Sequence, residues 1–87
     1  MVKVVYGKNF IRSAKKLDKK LQIKLADKIY SLQKNAFNPS LHTKNLSGKL
    51  VGLYSFRITR DWRVILQFLD PQTIQLIDVA NRKDIYR

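Results

Sequence analysis

Two arginines, Arg57 and Arg63, stand in neighbouring β-rich segments of the sequence, and their side chains suit an anionic ligand. A guanidinium group donates several hydrogen bonds from a rigid fork and binds the oxygens of a phosphate or carboxylate in pairs. The composition points the same way, because 18 Lys and Arg stand against six Asp and no Glu, a formal net charge of +12. Such a charge attracts nucleic acid or an acidic protein. The alternative is that the charge only keeps the surface solvated.

Residues that hold metals are scarce in this sequence. It has no Cys and a single His, His42, so it offers no disulfide and no thiolate metal site. The longest apolar runs, such as residues 64–66, are far too short to span a bilayer, and the start lacks the apolar core of a signal peptide. We therefore expect a cytoplasmic protein with no membrane partner, no metal and no small-molecule cofactor.

The elements that must position the two arginines follow from hydrophobic periodicity. Residues 1–6 contain three Val and one Tyr, and this β-branched and aromatic run predicts a strand. Apolar residues then recur every three or four positions, which predicts helix: Phe10, Ala14, Leu17, Leu21, Leu25, Ile29 and Leu32. One unbroken helix over residues 10–34 would be about 37 Å long, longer than the roughly 30 Å diameter of so small a domain. We therefore expect a break near Asp18, whose side chain would cap a second helix.

Three further strands are predicted over residues 53–59, 62–69 and 73–79, and the short turns between them imply antiparallel neighbours. The expected fold is therefore α+β, with a strand, a two-helix hairpin and three strands in an antiparallel sheet whose helices pack on one face. The 87 residues suffice for one compact core, so we expect a single domain over residues 1–87. Lysines on such helices more often form a solvated face than a binding surface.

The register of the hairpin between the second and third strands decides where the arginines point. Side chains alternate along a strand, so the apolar ones would face the helices and Arg57 would face outward. A three-residue loop over residues 60–62 would pair Arg57 with Ile65 and Thr59 with Arg63, which places both arginines on the outer face. A two-residue loop would place them on opposite faces. We favour the longer loop because it leaves both arginines exposed, and burying an unpaired guanidinium is costly.

Two stretches of the sequence carry a recognisable pattern. The first runs from Leu46-Ser47-Gly48 through Tyr54-x-x-Arg57 to Trp62-Arg63-Val64, and the second is the terminal Arg82-x-x-x-Tyr86. In their order and spacing they resemble the RelE/ParE superfamily of bacterial and archaeal toxins over nearly the whole chain. The resemblance implies the fold described above. It also implies the toxin of a type II toxin–antitoxin system, a metal-independent endoribonuclease that cleaves messenger RNA on the ribosome and is held inactive by an acidic antitoxin.

The resemblance also implies which residues act. Arg57 and Arg63 would clamp the scissile phosphate, and Arg82 would stabilise charge or help to protonate the leaving group. Tyr86 would stack on a base or hydrogen-bond near the phosphate. The residues expected to bind RNA are Lys44, Lys49 and Arg60.

Three positions depart from the family pattern. Many relatives have histidines where this chain has Lys44 and Asn81, and some use a strand lysine where it has Ser55. Asparagine cannot transfer a proton, and a lysine acts as a base only when it is uncharged, so the general base is not assigned. Besides the endoribonuclease, which we favour, two functions stay open. One is a ParE-like inhibitor of DNA gyrase, and the other is a catalytically inactive relative that binds RNA or an antitoxin.

Each candidate residue also has an ordinary structural explanation. The two strand arginines can be solubilising surface residues. Arg82 can form an ion pair with Asp78 or Asp84, and Tyr86 can pack against the domain. His42 is more easily explained as a surface residue than as a general base.

Overall fold

The computed structural model describes residues 1–85, the last of them by its backbone alone. Within this part, a five-stranded sheet combines with three α-helices. In chain order the elements are β1 (Lys3–Tyr6), α1 (Lys8–Lys15), α2 (Lys19–Lys34), β2 (Lys44–Asn45), β3 (Tyr54–Arg57), β4 (Trp62–Asp70), β5 (Thr73–Asn81) and α3 (Arg82–Ile85). Short 3-10 helices at Pro39–Leu41 and Gly48–Leu50 precede and follow β2. The α+β class and the four predicted strands are confirmed.

The strands lie in the order β1-β5-β4-β3-β2, and the sheet is mixed rather than wholly antiparallel. The β3, β4 and β5 strands are antiparallel as predicted, whereas β1 runs parallel to β5. The helical hairpin between them makes this possible, because parallel strands need a long crossover connection. The crossover is tight where it starts, since a Cβ at Gly7 would lie 2.7 Å from the backbone oxygen of Leu76. Only glycine allows so close an approach.

The predicted break between the two long helices is confirmed. α1 ends at Lys15, and α2 begins at Lys19 after Asp18, whose Oδ1 accepts a hydrogen bond from the backbone N of Leu21 at 2.8 Å. This cap satisfies one of the backbone N–H groups that the first turn of a helix leaves unpaired. Gln22 then ties the two helices together, because its Nε2 donates to the backbone oxygen of Ala14 at 3.0 Å.

The helices cover one face of the sheet and form the core with it. Buried residues come from the helices and the connection after them (Phe10, Leu17, Leu25, Leu32, Ala36 and Leu41) and from β3, β4, β5 and their turn (Phe56, Ile58, Val64, Leu66, Ile74, Leu76 and Val79). Fully burying one large apolar side chain contributes about 1.5–3 kcal/mol. The helix-covered face is therefore the main source of stability, and the strand residues between these positions point to the other side.

The β3–β4 hairpin corrects the predicted register. Arg57 lies directly opposite Arg63, two residues away from the partner expected for it. The connection is a three-residue turn over residues 59–61, closed by a hydrogen bond from the backbone N of Ile58 to the oxygen of Trp62 at 2.9 Å. The turn thus begins one residue earlier than predicted. Because the register differs by an even number, both arginines still share the face that points away from the helices, as predicted.

Candidate nucleic-acid interface

The face of the sheet opposite the helices carries most of the polar strand residues, and we call it the outer face. Alternation places them there, because their chain neighbours Phe56, Val64 and Leu66 are fully buried in the core. Directly opposite residues of paired strands share a face. The outer face thus includes Lys44 of β2, Ser55 and Arg57 of β3, Arg63, Ile65 and Gln67 of β4, and Gln75 and Ala80 of β5.

The centre of the outer face is a pair of like charges. Arg57 on β3 stands directly across from Arg63 on β4, and Arg63 stands across from Ala80 on β5. Side chains in this relation start only about 5 Å apart at Cβ, and like charges placed so are destabilising. An anion bound beside them would interact favourably with both charges. The geometry of the pair therefore fits a phosphate or a carboxylate.

The predicted exposure of the two arginines is wrong. Arg63 is only 4% exposed, and Arg57 is half-buried. The prediction treated each arginine as a charge that must face water, whereas a long aliphatic stem packs along a sheet surface. Ala80 beside Arg63 is small and leaves room for such packing. Partial burial strengthens the attraction for an anion, because charges interact more strongly where water is excluded.

A second row of the outer face joins Lys44, Ser55 and Ile65, which lie opposite one another on β2, β3 and β4. Lys44 is exposed, so the predicted RNA-binding lysine reaches the same face as the arginine pair. Ser55 is fully buried, and its Oγ has no hydrogen-bond partner among the described residues. The sequence pattern marks Ser55 only as a position where some relatives have a lysine. The signal that could have identified Ser55 as a site residue is its place in the motif, two residues before Arg57 and therefore on the same face of the strand.

Arg82 reaches the same end of the sheet from another element. It begins α3 directly after β5, and its backbone N donates to the oxygen of Asp61 in the β3–β4 turn at 2.7 Å. An open cleft of about 580 Å3 is lined here by Asp61, Asn81, Arg82 and Lys83. Arg82 is exposed, so its side chain is available to a ligand. Asp78, one of the ion-pair partners considered for it, accepts a hydrogen bond from Ser13 Oγ at 2.6 Å.

Asn81, where many relatives have histidine, has a structural role in this chain. It lies opposite Trp62 at the end of β5, and its Oδ1 accepts a hydrogen bond from the backbone N of Lys83 at 3.1 Å. The side chain thus caps the start of α3. An amide in this place positions Arg82 without being able to transfer a proton.

The remaining predicted residues lie around this site or outside the described part. Arg60 is exposed at the tip of the β3–β4 turn, beside the point where Arg82 is anchored. Lys49 is exposed on the short 3-10 helix between β2 and β3. His42 is exposed and ends the other 3-10 helix in a left-handed conformation, φ 50°. Tyr86 lies outside the described residues.

Solved structures share this fold. The chain resembles a YoeB/ParE toxin from Agrobacterium tumefaciens with a TM-score of 0.77 at 20% identity, over 93% of this chain and 99% of that one. It resembles the RelBE2 toxin–antitoxin complex from Mycobacterium tuberculosis with a TM-score of 0.78 at 19% identity, over 93% and 98%. It also resembles YafQ from E. coli strain BL21(DE3), with a TM-score of 0.79 at 15% identity over 100% of both chains. The chain has the RelE/ParE toxin fold. Neither a protein-family model nor a curated protein sequence matches it.

The candidate site on this fold consists of cationic side chains. No group of three or more His, Cys, Asp or Glu able to hold a metal occurs among residues that the structure describes. In the same part of the chain, no helix is long and apolar enough to cross a membrane. The outer face instead brings Lys44, Arg57 and Arg63 together, with Arg82 at the adjoining end. Such an arrangement can bind an oxyanion and stabilise negative charge that develops on it.

Proposed function

We propose that the protein is the toxin of a type II toxin–antitoxin pair and acts in the cytoplasm as a metal-independent endoribonuclease that cleaves messenger RNA on the ribosome. The observation that carries the proposal is the directly opposed, partly buried pair Arg57 and Arg63 on the outer face. Two arginines placed side by side and partly withdrawn from water suit an anionic ligand better than they serve solubility. The similar structures support the assignment, because they are described as toxins.

The proposed reaction is attack by a ribose 2′-hydroxyl on the adjacent phosphate, which breaks the bond from phosphorus to the 5′-oxygen of the next nucleotide. It leaves a 2′,3′-cyclic phosphate on one product and a 5′-hydroxyl on the other. Arg57 and Arg63 would bind the non-bridging oxygens and stabilise the extra negative charge of the pentacoordinate state. Arg82, from the end of β5, would stabilise the leaving oxygen or help to protonate it. Tyr86, as the family pattern implies, would contact a base or the phosphate.

RNA on either side of the scissile phosphate would be held by exposed cations around the site. Lys44 flanks it on β2, Arg60 lies at the tip of the hairpin, and Lys49 lies on the loop between β2 and β3. Each such contact releases counterions and adds to the affinity at low salt. Catalysis would rest mainly on positioning and charge stabilisation, since the site is rich in cations and Asn81 takes a histidine position of the family.

The proposed protein partner is an acidic antitoxin. A net charge of +12 favours a partner of opposite sign, and the similar RelBE2 structure is a toxin–antitoxin complex. The acidic chain would cross the helical hairpin and the outer face, and so compete with RNA for the arginine pair. The affinity of this complex should fall as salt rises. A pull-down from native cells that returned no acidic protein, with no such protein encoded next to this gene, would remove the antitoxin from the proposal.

Controlled expression tests the enzymatic function. Induction should stop protein synthesis first, primer extension should find broken transcripts, and supercoiling by purified DNA gyrase should continue. Early loss of supercoiling with intact transcripts would instead establish the ParE-like gyrase inhibitor. The catalytically inactive alternative is favoured by one observation, the structural role of Asn81 at a position where many relatives carry histidine. It would be established by RNA or antitoxin binding that leaves every transcript intact.

A further inference from the structure

Two polar groups on neighbouring outward positions of β3 lack hydrogen-bond partners within residues 1–85. Ser55 is fully buried, and its Oγ has no partner among the described residues. The Nε of Arg57 is also buried without a partner there. Most buried polar atoms in proteins are hydrogen-bonded, because an unsatisfied one costs folding free energy. Two such atoms two residues apart on one strand therefore call for an explanation.

The placement of these groups indicates what would satisfy them. Ser55 and Arg57 point to the same face, and their side chains start roughly 7 Å apart along the strand. One phosphate group spans that gap when it accepts a hydrogen bond of about 2.9 Å from each side. Two of the neighbouring outer-face residues are cations, since Lys44 lies opposite Ser55 and Arg63 lies opposite Arg57, while the apolar Ile65 flanks Ser55 on β4. A serine hydroxyl in such surroundings meets an acceptor most readily on an anion.

Serine is not needed here for packing alone. Alanine has nearly the same size and would fill the buried position on β3 without leaving a hydroxyl unsatisfied. An unsatisfied buried polar group at a site of concentrated charge is typical of a ligand-binding position. Access requires the long side chains around Ser55 to move, and rotamer exchange of exposed side chains is fast.

We propose that Ser55 Oγ and Arg57 Nε form one phosphate subsite on the outer face, occupied by a phosphate of the RNA. The identity of this ligand rests on the proposed function, whereas the subsite itself rests on the two unsatisfied groups. Ser55 would donate its hydroxyl proton to a non-bridging oxygen, and Arg57 would donate to a second oxygen of the same phosphate. Ser55 thereby joins the arginines as a residue that touches the substrate.

The test compares Ser55→Ala with Ser40→Ala, which removes the same atom from an exposed position in the 3-10 helix Pro39–Leu41. Thermal melting is measured with inorganic phosphate and with chloride at equal ionic strength. Without phosphate, Ser55→Ala should melt a few degrees above the unmodified protein, because an unsatisfied buried hydroxyl is gone. Phosphate should raise the melting temperature of the unmodified protein and of Ser40→Ala, and the rise should be largely lost in Ser55→Ala.

Messenger-RNA cleavage in a reconstituted translation reaction supplies the second readout. Ser55→Ala should lower the rate constant at saturating RNA by about 10- to 100-fold, since one donor to the developing charge is lost. Equal cleavage by Ser55→Ala and the unmodified protein would overturn the inference and leave the proposed function standing. Phosphate stabilisation that depends on Ser55, in a protein that cuts no RNA, would support the subsite and remove the nuclease.

Three other results would overturn the subsite. The first is equal stabilisation of both variants by phosphate. The second is a lower melting temperature for Ser55→Ala together with lost cleavage, because the hydroxyl would then be structural. The third is weaker binding of the acidic antitoxin with unchanged phosphate binding and RNA cleavage, which would make Ser55 a contact for a carboxylate.

Discussion

The helical hairpin and the outer face of the sheet are both basic, but they hold their charges differently. Most lysines of the helical hairpin are exposed, among them Lys15, Lys16, Lys19, Lys20 and Lys24. On the sheet, Arg63 is 4% exposed and stands opposite the half-buried Arg57. Exposed charges are hydrated and screened by salt, so they contribute little to stability. Opposed, partly buried charges are costly and need a reason. Total charge therefore indicates the class of partner, whereas the few partly buried charges mark the candidate site.

The largest effect is expected on the sheet, at Arg63. Arg63→Met keeps an unbranched stem for packing and removes the charge that would stabilise the transition state. Cleavage of messenger RNA should fall about a hundredfold or more, equivalent to about 3 kcal/mol. Growth arrest, transcript cleavage and thermal melting of the purified variant measure the outcome.

Methionine is the informative substitution because Arg63 is buried. Arg63→Ala would also leave a cavity, and we expect it to melt below Arg63→Met. Truncating an exposed arginine to alanine would cost little stability, but the burial of Arg63 removes that expectation. Full toxicity in a folded Arg63→Met protein would exclude Arg63 from the site.

A smaller effect is expected at Arg82, on the edge of the site. Its backbone N anchors α3 to the oxygen of Asp61, a bond that Arg82→Ala retains, and its side chain is exposed. Cleavage should fall about tenfold through the loss of one charged contact, with a melting temperature within a few degrees of the unmodified protein. Lys83→Ala, in the next position of the same cleft, is the matched control and should cleave normally. Equal losses in the two variants would indicate general electrostatics in place of a specific contact.

Substitutions in the helical hairpin should change the stability of the protein and leave RNA cleavage unchanged. Asp18→Ala removes the N-cap of α2 and should lower the free energy of unfolding by about 1 kcal/mol, a few degrees in melting temperature. Asp27→Ala removes the same charge from the interior of α2 and should change stability less. Both variants should cleave RNA normally below their melting temperatures. A loss of cleavage in folded Asp18→Ala would show that the hairpin contributes to the site.

Much of the fold was predictable because local patterns determine it. The spacing of apolar residues predicts the helices, and the length limit of a small domain places the break at Asp18. Two features depend on tertiary pairing and could not be predicted. The two-residue β2 strand, Lys44–Asn45, shows no alternation, and the parallel pairing of β1 with β5 joins the two ends of the chain.

For the candidate site, the sequence predicts which face of the sheet the arginines share, but not their exact pairing or their burial. Alternation along a strand places Arg57 and Arg63 on one face whatever even shift the register takes. Their exact pairing depends on the turn, which closes with the bond from Ile58 to Trp62. The burial of Arg63 and Ser55 depends on what surrounds them in the folded chain, so no local pattern indicates it. Tyr86 stays a prediction.

The central claim is that phosphate binds on the outer face, and two double variants of equal charge test it most directly. Arg57→Met with Arg63→Met changes the outer face, and Lys19→Met with Lys20→Met changes α2, and each lowers the net charge by two, from +12 to +10. Binding of a 2′-deoxy single strand, which cannot be cleaved by its own 2′-hydroxyl, is measured by fluorescence anisotropy over a series of salt concentrations. The outer-face variant should bind at least about tenfold more weakly with a salt dependence reduced by one to two charges, while the α2 variant should change by less than about twofold. Equal weakening in two folded double variants would contradict the account, because affinity would then follow total charge and not the arginine pair.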